Sequence, residues 1–406
     1  MFPTYQLRDK KILVGITGGV AAYKTMELIR YLTTNGAEVR VMMTKGAEQF
    51  ITRLTVETLS KNPVETEMFP KEGYSGTHHI HRADWADAAI IAPATYNFIG
   101  KIWGGVADDL LTTTVAALHC PVVIAPAMNV NMWNNAVLQR NVQDLAKMGC
   151  LICPPEEGFL AEGYTGMGRL ASLDRQIQYL YRAIHSAPDS LKHKKVLVTA
   201  GRTEEPLDPV RFLTNHSSGK MGYALAWEAF ARGAEVTLIH GPGELSLPAG
   251  MKTVATRTAE EMFHAVREHL PQTDIYLSAA AVADYKPEKA SVQKIKKQEG
   301  KAELALERTP DILDFAGKNK AGGQLLVGFA VETEQGEQNA LKKLKNKNLD
   351  MVVLNNPLEK GSAFRSDTNH VILFHKNGEK KGLSLLPKLD VASEIFNFLL
   401  EHRDSA

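Results

Sequence analysis

The residue types that could do chemistry are densest in one polar loop, residues 214–222, which lies between a strand-like run and a helix-like run. Backbone N–H groups at a helix start, together with the Lys220 ammonium, would attract a phosphate or a carboxylate there. The loop differs from the phosphate loop of nucleotide hydrolases, because Thr214 replaces its leading glycine and Met221 replaces the hydroxyl residue that binds magnesium. We therefore predict an anion site at Gly219 and Lys220 that does not work in the manner of a nucleotide hydrolase.

A second candidate lies near the amino terminus, where Thr17, Gly18 and Gly19 follow one strand-like run and precede a helix-like run. Adjacent glycines allow the backbone to approach a ligand closely, and the helix start favours the phosphate of that ligand. Glycine is equally common in turns that only pack a helix against a strand. This turn alone therefore leaves both interpretations open.

Two later segments of the first half add polar groups at predicted strand ends. Pro93 and Pro126 are each predicted to end a strand, and small or polar residues such as Thr95 and Asn129 follow them. These residue types are ordinary in turns. Two such ends beside the Gly18 turn nevertheless favour a ligand crevice.

Three histidines precede Trp85 and form the remaining candidate group of the first half. His79 could act as a base near neutral pH, because the pKa of an unperturbed imidazole lies close to 6.5. His78 and His81 are interpreted as surface residues.

Both halves of the chain open with the order strand, helix, glycine, strand, which would position these groups. In the first half the predictions are a strand over residues 11–17, a helix over 21–35, a cap at Gly36 and a strand over 38–43. In the second half they are a strand over 196–199, a helix over 221–232, a cap at Gly233 and a strand over 235–239. Such units favour parallel sheets with right-handed crossovers, so an α/β fold is predicted for both halves.

Further strands are predicted in each half. The second half differs from the first in having a long loop after its first strand. The additional strands cover residues 88–92, 122–125, 274–278, 325–329 and 351–354, and a hairpin is predicted from residue 370 past Asn377-Gly378. In the long loop, residues 202–220, Pro206 and Pro209 exclude helix. The domain boundary is predicted within the polar stretch 186–194.

Composition is that of a globular protein of two domains. The chain has 406 residues, 44% of them hydrophobic and 23% charged, and its formal net charge is +1. That charge gives no overall attraction to nucleic acid or to an anionic membrane. Residues 1–10 contain no apolar signal segment and no run approaches membrane-spanning length, so a cytoplasmic location is expected.

Cys150 and Cys153 have CxxC spacing but lack a second ligand pair, so structural thiols are preferred to a metal site.

Taken together, the motifs of the first half resemble the flavin-dependent cysteine decarboxylase family. The matching segments are residues 17–24, His79 before Trp85-Ala86-Asp87, 93–95, 105–110 and 126–129. The second half resembles phosphopantothenate–cysteine ligases in residues 215–222, 280–285 and 294–297. The order of the two halves is similar to that of the bacterial bifunctional coenzyme A biosynthesis family, over nearly the whole chain.

The resemblance implies two Rossmann-like three-layer domains, each with a mainly parallel sheet. Residues 1–189 would be a flavodoxin-like, FMN-dependent phosphopantothenoylcysteine decarboxylase, in which FMN oxidises the cysteinyl thiol before CO2 leaves. The flavin or its phosphate would contact Thr17, Gly18, Gly19, Thr44, Pro93, Ala94, Thr95 and Asn97. His79 would be the base, and Asn129, with Ala127 and Met128 beside it, would bind the substrate carboxylate.

One residue departs from the pattern of the family. The segment 160–170 aligns with the family's lid, but Glu162 stands where the proton-donating cysteine is usual. We hypothesise that closure of the lid raises the pKa of Glu162 so that it donates the proton. The alternative is that Glu162 is a solvated loop carboxylate.

For residues 190–406 the resemblance implies a CTP-dependent ligase that activates 4'-phosphopantothenate as an acyl-cytidylate before cysteine attacks. Asn215 would hold that intermediate, although helix N-capping is a competing interpretation. The nucleotide would contact Ala280, Asp284, Lys294, Pro310, Asp311, Ile312, Leu313, Phe329, Lys343 and Lys347. The lysines at 343 and 347 share a helix face, whereas Lys296, Lys297, Lys342 and Lys345 are interpreted as a solvated face. Mg2+ is expected at the pyrophosphate, with ligands that no motif identifies.

The expected partners are 4'-phosphopantothenate, cysteine and CTP, with no nucleic acid and no membrane. The resemblance also implies a homo-oligomer, with trimeric flavin domains and dimeric ligase domains that together would give a dodecamer. Two alternatives stay open. In one, only the ligase works and the first half is a flavin-binding assembly module. The other, a pyridine-nucleotide oxidoreductase, is weakened because GxGxxG is absent and Thr44 stands where an acidic residue should follow the second strand.

Overall fold

The structure is a computed structural model that describes residues 4–69, 78–159, 163, 165–296, 303–332, 335–355 and 366–403. It divides into two compact units, Phe2–Pro188 and Asp189–Ala406, which are described here separately.

The first unit is a doubly wound domain on a six-stranded parallel sheet with the order β3-β2-β1-β4-β5-β6. Its strands are β1 Lys11–Ile16, β2 Glu38–Met43, β3 Val64–Glu65, β4 Ala88–Ala94, β5 Val122–Pro126 and β6 Leu151–Ile152, and an antiparallel hairpin follows, β7 Glu156–Phe159 and β8 Thr165–Arg169. Its helices are α1 Thr25–Thr34, α2 Arg53–Ser60, α3 His78–Trp85, α4 Tyr96–Trp103, α5 Leu110–Ala117, α6 Val130–Trp133, α7 Ala136–Lys147 and α8 Leu173–Ala183. The strand order reverses between β1 and β4, which is where doubly wound sheets open a ligand crevice.

Two helical layers cover this sheet because the strands are apolar on both faces. Along β1, Ile12 and Val14 point into the core formed with α1 and α8, whereas Leu13 points into the core formed with α4, α5 and α7. Successive side chains of a strand alternate between faces, so a continuous apolar run is what a strand covered on both sides requires. A 3-10 turn, Val20–Lys24, precedes α1.

The second unit carries an eight-stranded sheet with the order β13-β12-β9-β14-β17-β18-β20-β21, of which the last two strands are antiparallel. Its strands are β9 Lys195–Ala200, β10 Glu204–Pro206, β11 Phe212–Thr214, β12 Glu235–His240, β13 Lys252–Ala255, β14 Ile275–Ser278, β15 Tyr285–Pro287, β16 Leu306–Arg308, β17 Leu325–Val331, β18 Met351–Asn355, β19 Thr368–Asn369, β20 Val371–His375, β21 Lys380–Gly382 and β22 Leu386–Pro387. Its helices are α9 Lys220–Ala231, α10 Ala259–His269, α11 Ile312–Lys318, α12 Gly336–Asn346 and α13 Lys388–Glu401. The order reverses between β9 and β14.

This sheet is covered in the same way, with α10, α11 and α12 packed on one face and α9 packed against β9 and α13. A buried ion pair joins Arg232 Nε to Glu228 Oε1 at 2.7 Å, and the same guanidinium donates to Asn397 Oδ1 on α13. The fold class predicted from the sequence, two mainly parallel α/β domains, is therefore confirmed.

In both sheets, the amino end of the first strand is held by a reciprocal pair of hydrogen bonds between a lysine and an aspartate. The Lys11 N–H donates to Asp87 Oδ2 at 2.8 Å, and the Asp87 N–H donates to the Lys11 carbonyl oxygen at 2.8 Å. In the second sheet Lys195 and Asp274 exchange the same two bonds, both at 2.8 Å. In each domain this reciprocal pair ties the first strand to the strand that begins after the aspartate.

The loop over residues 202–219 contains no helix, as predicted, but it contains an antiparallel hairpin that was not predicted, β10 and β11, with Pro206 opposite Phe212. One local expectation was wrong. Pro93 does not end its strand, because β4 continues to Ala94 after a register shift against β5. The predicted hairpin after residue 370 is confirmed as β20 and β21. Within the described part of the chain, no helix has the length and apolar character needed to cross a membrane.

Candidate active sites

A cavity of about 1300 Å3 opens in the first domain at the carboxyl ends of β1, β2 and β4. Most site residues predicted for this domain line it, namely Thr17, Gly18, Gly19, Thr44, Thr95, Asn97, Ala127, Met128 and Asn129. Parallel strands bring their carboxyl ends to one edge, so residues distant in sequence meet there.

The Thr17 side chain joins the two turns that form the floor of this cavity. Its hydroxyl donates to the Pro93 carbonyl oxygen at 2.7 Å and accepts from the Thr95 N–H at 3.0 Å. Thr95 in turn is the N-cap of α4 and accepts from the Phe98 N–H. Pro93 and Ala94 are buried within β4 and lie outside the lining, so they support the floor from below.

The Gly18 turn approaches the turn after β2 at backbone distance. A Cβ atom at Gly18 would lie 2.8 Å from the Gly46 carbonyl carbon, so no other residue fits without displacing main chain. Both glycines line the cavity, beside Thr44. Close main-chain turns without side chains let a ligand such as a phosphate approach the backbone.

The Ala127–Asn129 segment is fixed to the base of the β7–β8 hairpin. The Met128 N–H donates to the Gly168 carbonyl oxygen at 3.0 Å, and a Cβ atom at Gly168 would lie 2.2 Å from the Met128 carbonyl oxygen. Asn129 Oδ1 accepts from the Asn131 N–H at 2.8 Å and so caps α6. Glu162, the predicted proton donor, lies outside the described residues.

His79 is half-buried on α3 and is not among the described residues that line the cavity. Its neighbours on that helix are anchored, because Glu65 forms ion pairs with both His78, at 3.3 Å, and Arg82. Within a single chain, therefore, the predicted base and the predicted carboxylate-binding residue Asn129 are not brought to the same cavity.

In the second domain, Asn215 is tied to the segment that follows β14. Its Nδ2 donates to the Ala281 carbonyl oxygen at 2.8 Å, and the Ala281 N–H donates to the Gly201 carbonyl oxygen at 2.8 Å. The N-cap of α9 is Gly219, with no side-chain capping bond. The interpretation of Asn215 as a helix cap was therefore wrong, and its amide belongs to the crevice between β9 and β14.

The start of α9 is pressed against the end of β9. Gly219 has a φ of +78°, and a Cβ atom there would lie 3.2 Å from the Gly201 Cα. A Cβ atom at Gly222 would lie 2.4 Å from the Ala200 Cβ. The Lys220 ammonium is paired with Asp367 Oδ1 at 2.6 Å.

A cluster of charges forms beside β17 around Lys343, which lies on α12, and Lys347, which is the C-cap of that helix. Lys343 Nζ donates to the Phe329 carbonyl oxygen at 2.7 Å, while Lys347 pairs with Asp311 at 2.8 Å and with Asp314 at 3.1 Å. Burial lowers the pKa of Lys343 from its ordinary value. Burial acts in the same direction on Lys347, but its hydrogen bonds to the two aspartates outweigh it and raise that pKa.

The remaining predicted nucleotide residues differ in burial. The Thr309 N–H donates to the Asp284 carbonyl oxygen at 3.1 Å, which places Asp284 beside Pro310. Ile312 and Leu313 are buried in the core, whereas Ala280 is half-buried. Lys294 is exposed, as are Lys296, Lys342 and Lys345, and Lys297 lies outside the described residues.

Asp208 is a residue that sequence reasoning missed. Its carboxylate accepts from Arg211 Nη2 at 2.6 Å, from the Val210 N–H and from the Ile295 N–H at 3.1 Å. The Arg211 guanidinium and these N–H groups hold the pKa of Asp208 well below its usual range. The bond to Ile295 fixes the backbone next to Lys294. No local pattern in the sequence indicates this contact, because Ile295 lies 87 residues from Asp208.

Neither metal nor thiol chemistry has a ready site among the described residues. No three histidine, cysteine, aspartate or glutamate side chains in that part of the chain are grouped as metal ligands. Burial raises the pKa of Cys120 to about 11 and also raises the pKa values of Cys150 and Cys153, which disfavours their thiolate forms.

The chain matches two protein families along its length. Residues 3–185 match the family described as flavoprotein, and residues 191–402 match the C-terminal domain of the DNA/pantothenate metabolism flavoproteins.

Three bacterial relatives are similar over almost the whole chain, and each is a coenzyme A biosynthesis bifunctional protein. The protein of Bacillus subtilis strain 168 is 44% identical over 393 residues, which cover 96% of this chain and 96% of the relative. The protein of Haemophilus influenzae strain Rd is 42% identical, with 98% of each chain covered. The protein of Escherichia coli K12 is 41% identical, with 92% of this chain and 93% of the relative covered.

Proposed function

This chain belongs to the family of bifunctional coenzyme A biosynthesis proteins, and we propose that its two domains catalyse consecutive steps in separate crevices. The enzyme joins cysteine to 4'-phosphopantothenate and decarboxylates the product to 4'-phosphopantetheine. We assign decarboxylation to residues 1–189 and ligation to residues 190–406. The observation that carries this assignment is that each sheet places its own set of polar groups where its strand order reverses.

In the second domain, we propose that CTP activates the substrate. The carboxylate of 4'-phosphopantothenate attacks the α-phosphorus, pyrophosphate leaves, and the amine of cysteine then displaces CMP from the acyl-cytidylate. Lys343 suits the polyphosphate, because burial has removed water from its ammonium and a bound anion would stabilise the charge instead. We propose that Lys347, which Asp311 and Asp314 hold beside it, contacts the same polyphosphate. Asn215 suits the acyl intermediate, because its bond to Ala281 fixes the direction of its amide.

In the first domain, we propose FMN as the cofactor. The cavity of about 1300 Å3 exceeds the usual size of a ligand pocket, so it has room for substrate beside a cofactor. The glycine turns at residues 18 and 46 pack on each other at main-chain distance and both line the cavity, so backbone there is open to the approach of a phosphate, and Thr44, Thr95 and Asn97 line the same cavity. When bound, FMN supplies a two-electron oxidation of the cysteinyl thiol and returns these electrons after CO2 has left.

We propose that three side chains bind the substrate carboxylate, accept a proton and donate a proton during this reaction. The Asn129 amide, oriented by its bond from the Asn131 N–H, would bind the substrate carboxylate until CO2 leaves. His79 would act as the base, and Glu162 would donate the last proton. Because His79 stands outside the cavity of its own chain, we propose that a second copy completes the site, in a homo-oligomer.

Magnesium is proposed to arrive as its nucleotide complex. Mg2+ is commonly held by substrate phosphates and water, with only one or two protein carboxylates.

The function is tested by incubating the protein with 4'-phosphopantothenate, cysteine, Mg2+ and one nucleoside triphosphate at a time. We expect 4'-phosphopantetheine and CMP, identified by mass, only with CTP. Product with ATP alone would contradict the proposed nucleotide.

A second incubation, with 4'-phosphopantothenoylcysteine and no nucleotide, tests the first domain alone. We expect CO2 and 4'-phosphopantetheine from this substrate. Ligation in the first incubation without CO2 release in the second would instead support the flavin-binding assembly module.

A further inference from the structure

Two cations outside the residues considered so far face the same cavity in the first domain. Lys24 ends the 3-10 turn Val20–Lys24, and Arg169 ends β8 at the base of the hairpin. Both line the cavity. They come from segments 145 positions apart and meet only because α1 and the hairpin border the same opening.

Neither cation is neutralised by a close partner. Among the residues that the structure describes, no carboxylate forms an ion pair or hydrogen bond with Lys24 or with Arg169. Glu156, whose charge acts on both cations, is already engaged, because its Oε1 accepts from the Ser172 hydroxyl at 2.6 Å and N–H at 3.0 Å and lies 3.7 Å from Arg175 Nε. Burial and the charge of Arg169 lower the pKa of Lys24, and they outweigh the charges of Glu156 and Glu27, which raise it. Two cations that repel each other and have no carboxylate in direct contact have an electrostatic reason to bind an anion.

The position of the pair indicates which anion this is. Arg169 directly follows Gly168, whose carbonyl oxygen accepts from the Met128 N–H in the segment proposed to bind substrate. The phosphate site proposed for FMN involves different residues, the turns at Gly18 and Gly46. The Arg169 side chain also lies across Gly158, where a Cβ atom would come within 2.9 Å of the Arg169 Cδ. That glycine leaves space for the guanidinium to lie along the hairpin.

We propose that Lys24 and Arg169 form a subsite for the phosphate monoester of the decarboxylation substrate, separate from the cofactor's phosphate site. The inference rests on the proposed function of the first domain. A phosphate dianion accepts several hydrogen bonds, and a guanidinium and an ammonium from opposite sides satisfy it together. The subsite would thereby distinguish 4'-phosphopantothenoylcysteine from the same molecule without its phosphate.

The test compares these two substrates, phosphorylated and phosphate-free, with the full-length holoenzyme. Wild type should prefer the phosphorylated substrate, and Lys24→Met and Arg169→Gln should each raise the KM for that substrate about tenfold. In both variants the KM for the phosphate-free substrate should stay within about twofold of the wild-type value, so the preference for the phosphorylated substrate should be lost. Lys147→Met, at a surface lysine of the same domain with 75% of its side chain exposed, is the matched control and should leave the preference intact.

Two results would overturn the subsite. One is an unchanged preference in both variants. The other is loss of bound flavin, measured by absorbance near 450 nm, in proportion to loss of activity, since the cations would then serve the cofactor. Dissociation constants of both compounds, measured by calorimetry, report the preference without turnover. If the protein releases no CO2 but still binds the phosphorylated compound more tightly than the phosphate-free one, the proposed function is contradicted and the subsite is supported.

Discussion

At the scale of single residues, the two lysines of the nucleotide cluster show how environment gives identical side chains different properties. Lys343 is buried and bonded to a neutral carbonyl oxygen, whereas Lys347 faces two carboxylates. The sequence showed only their spacing. Their opposite pKa shifts depend on Asp311 and Asp314, which reach them from α11.

This contrast yields a prediction for nucleotide binding. Lys343→Gln should raise the KM for CTP about tenfold or more, because a charged hydrogen bond to phosphate is worth about 1.5–3 kcal/mol. Lys342→Gln, at the exposed neighbour on the same helix, is the control and should change the KM less than about twofold. Steady-state ligation assays check both, and equal effects of the two variants would contradict a direct role for Lys343.

The Lys388 side chain gives a prediction for pH dependence. Its ammonium donates to the Ser366 and Thr368 carbonyl oxygens, and burial, followed by the charge of Lys220, lowers its pKa from 10.5 to about 8. Between these two pH values the unfolded chain binds more protons than the native one. The free energy of unfolding of the second domain should therefore rise with pH in this window.

The variant Lys388→Met should lack that contribution. Denaturant unfolding at pH 7.5 and pH 9.5 should show that the stability advantage of wild type over the variant grows with pH. Lys345→Met, at an exposed lysine of the same domain, should keep the wild-type pH slope. An identical slope in the Lys388 variant would refute the shifted pKa.

At the scale of elements, the sequence predicted most strands because each is a short apolar run bounded by polar or glycine residues. Strands such as β1 and β9 were placed within about one residue of their observed ends. The hairpin of β10 and β11 was missed, because its short strands contain Pro206 and paired glutamates, which are poor local signals for a strand. The continuation of β4 through Pro93 was missed for the same reason.

The packing of α9 on β9 gives a prediction about an element contact. In Gly222→Ala the added Cβ atom would overlap Ala200, so helix and strand must separate and the second domain should lose about 1–3 kcal/mol. Gly243→Ala is the control, since nothing lies within 4 Å of its Cβ position. Urea unfolding curves measure both. A Gly222→Ala midpoint no lower than that of the control would show that the contact can relax without cost.

At the scale of the whole molecule, the sequence could place polar groups at strand ends but not decide which ends meet. Strand order decides this, because β1 lies beside β4 and β9 beside β14, and so Thr17 meets Thr95 and Gly201 meets Ala281. Long-range contacts such as Asp208 to Ile295, and the pairing of Lys24 with Arg169 at one rim, follow only from the folded arrangement.

Two separate crevices imply that one domain can be disabled without the other. At a CTP concentration well below the KM of the Lys343 variant, a mixture of full-length Lys343→Gln and His79→Asn proteins should convert 4'-phosphopantothenate, cysteine and CTP into 4'-phosphopantetheine faster than either variant alone. The intermediate would pass between molecules through solution. Product analysis by mass checks this, and a mixture no better than its components would indicate that the intermediate is not released.

The reciprocal bonds between Lys11 and Asp87, and between Lys195 and Asp274, have a mechanical consequence. In each sheet these bonds join the amino ends of the two strands between which the order reverses, opposite the edge where ligands enter. The same two strands are also joined at their carboxyl ends, by Thr17 to Pro93 in the first sheet and by Ala281 to Gly201 in the second. Because both ends of each pair are held, the spacing between the strand ends that border each crevice is set by the sheet itself, before any ligand binds.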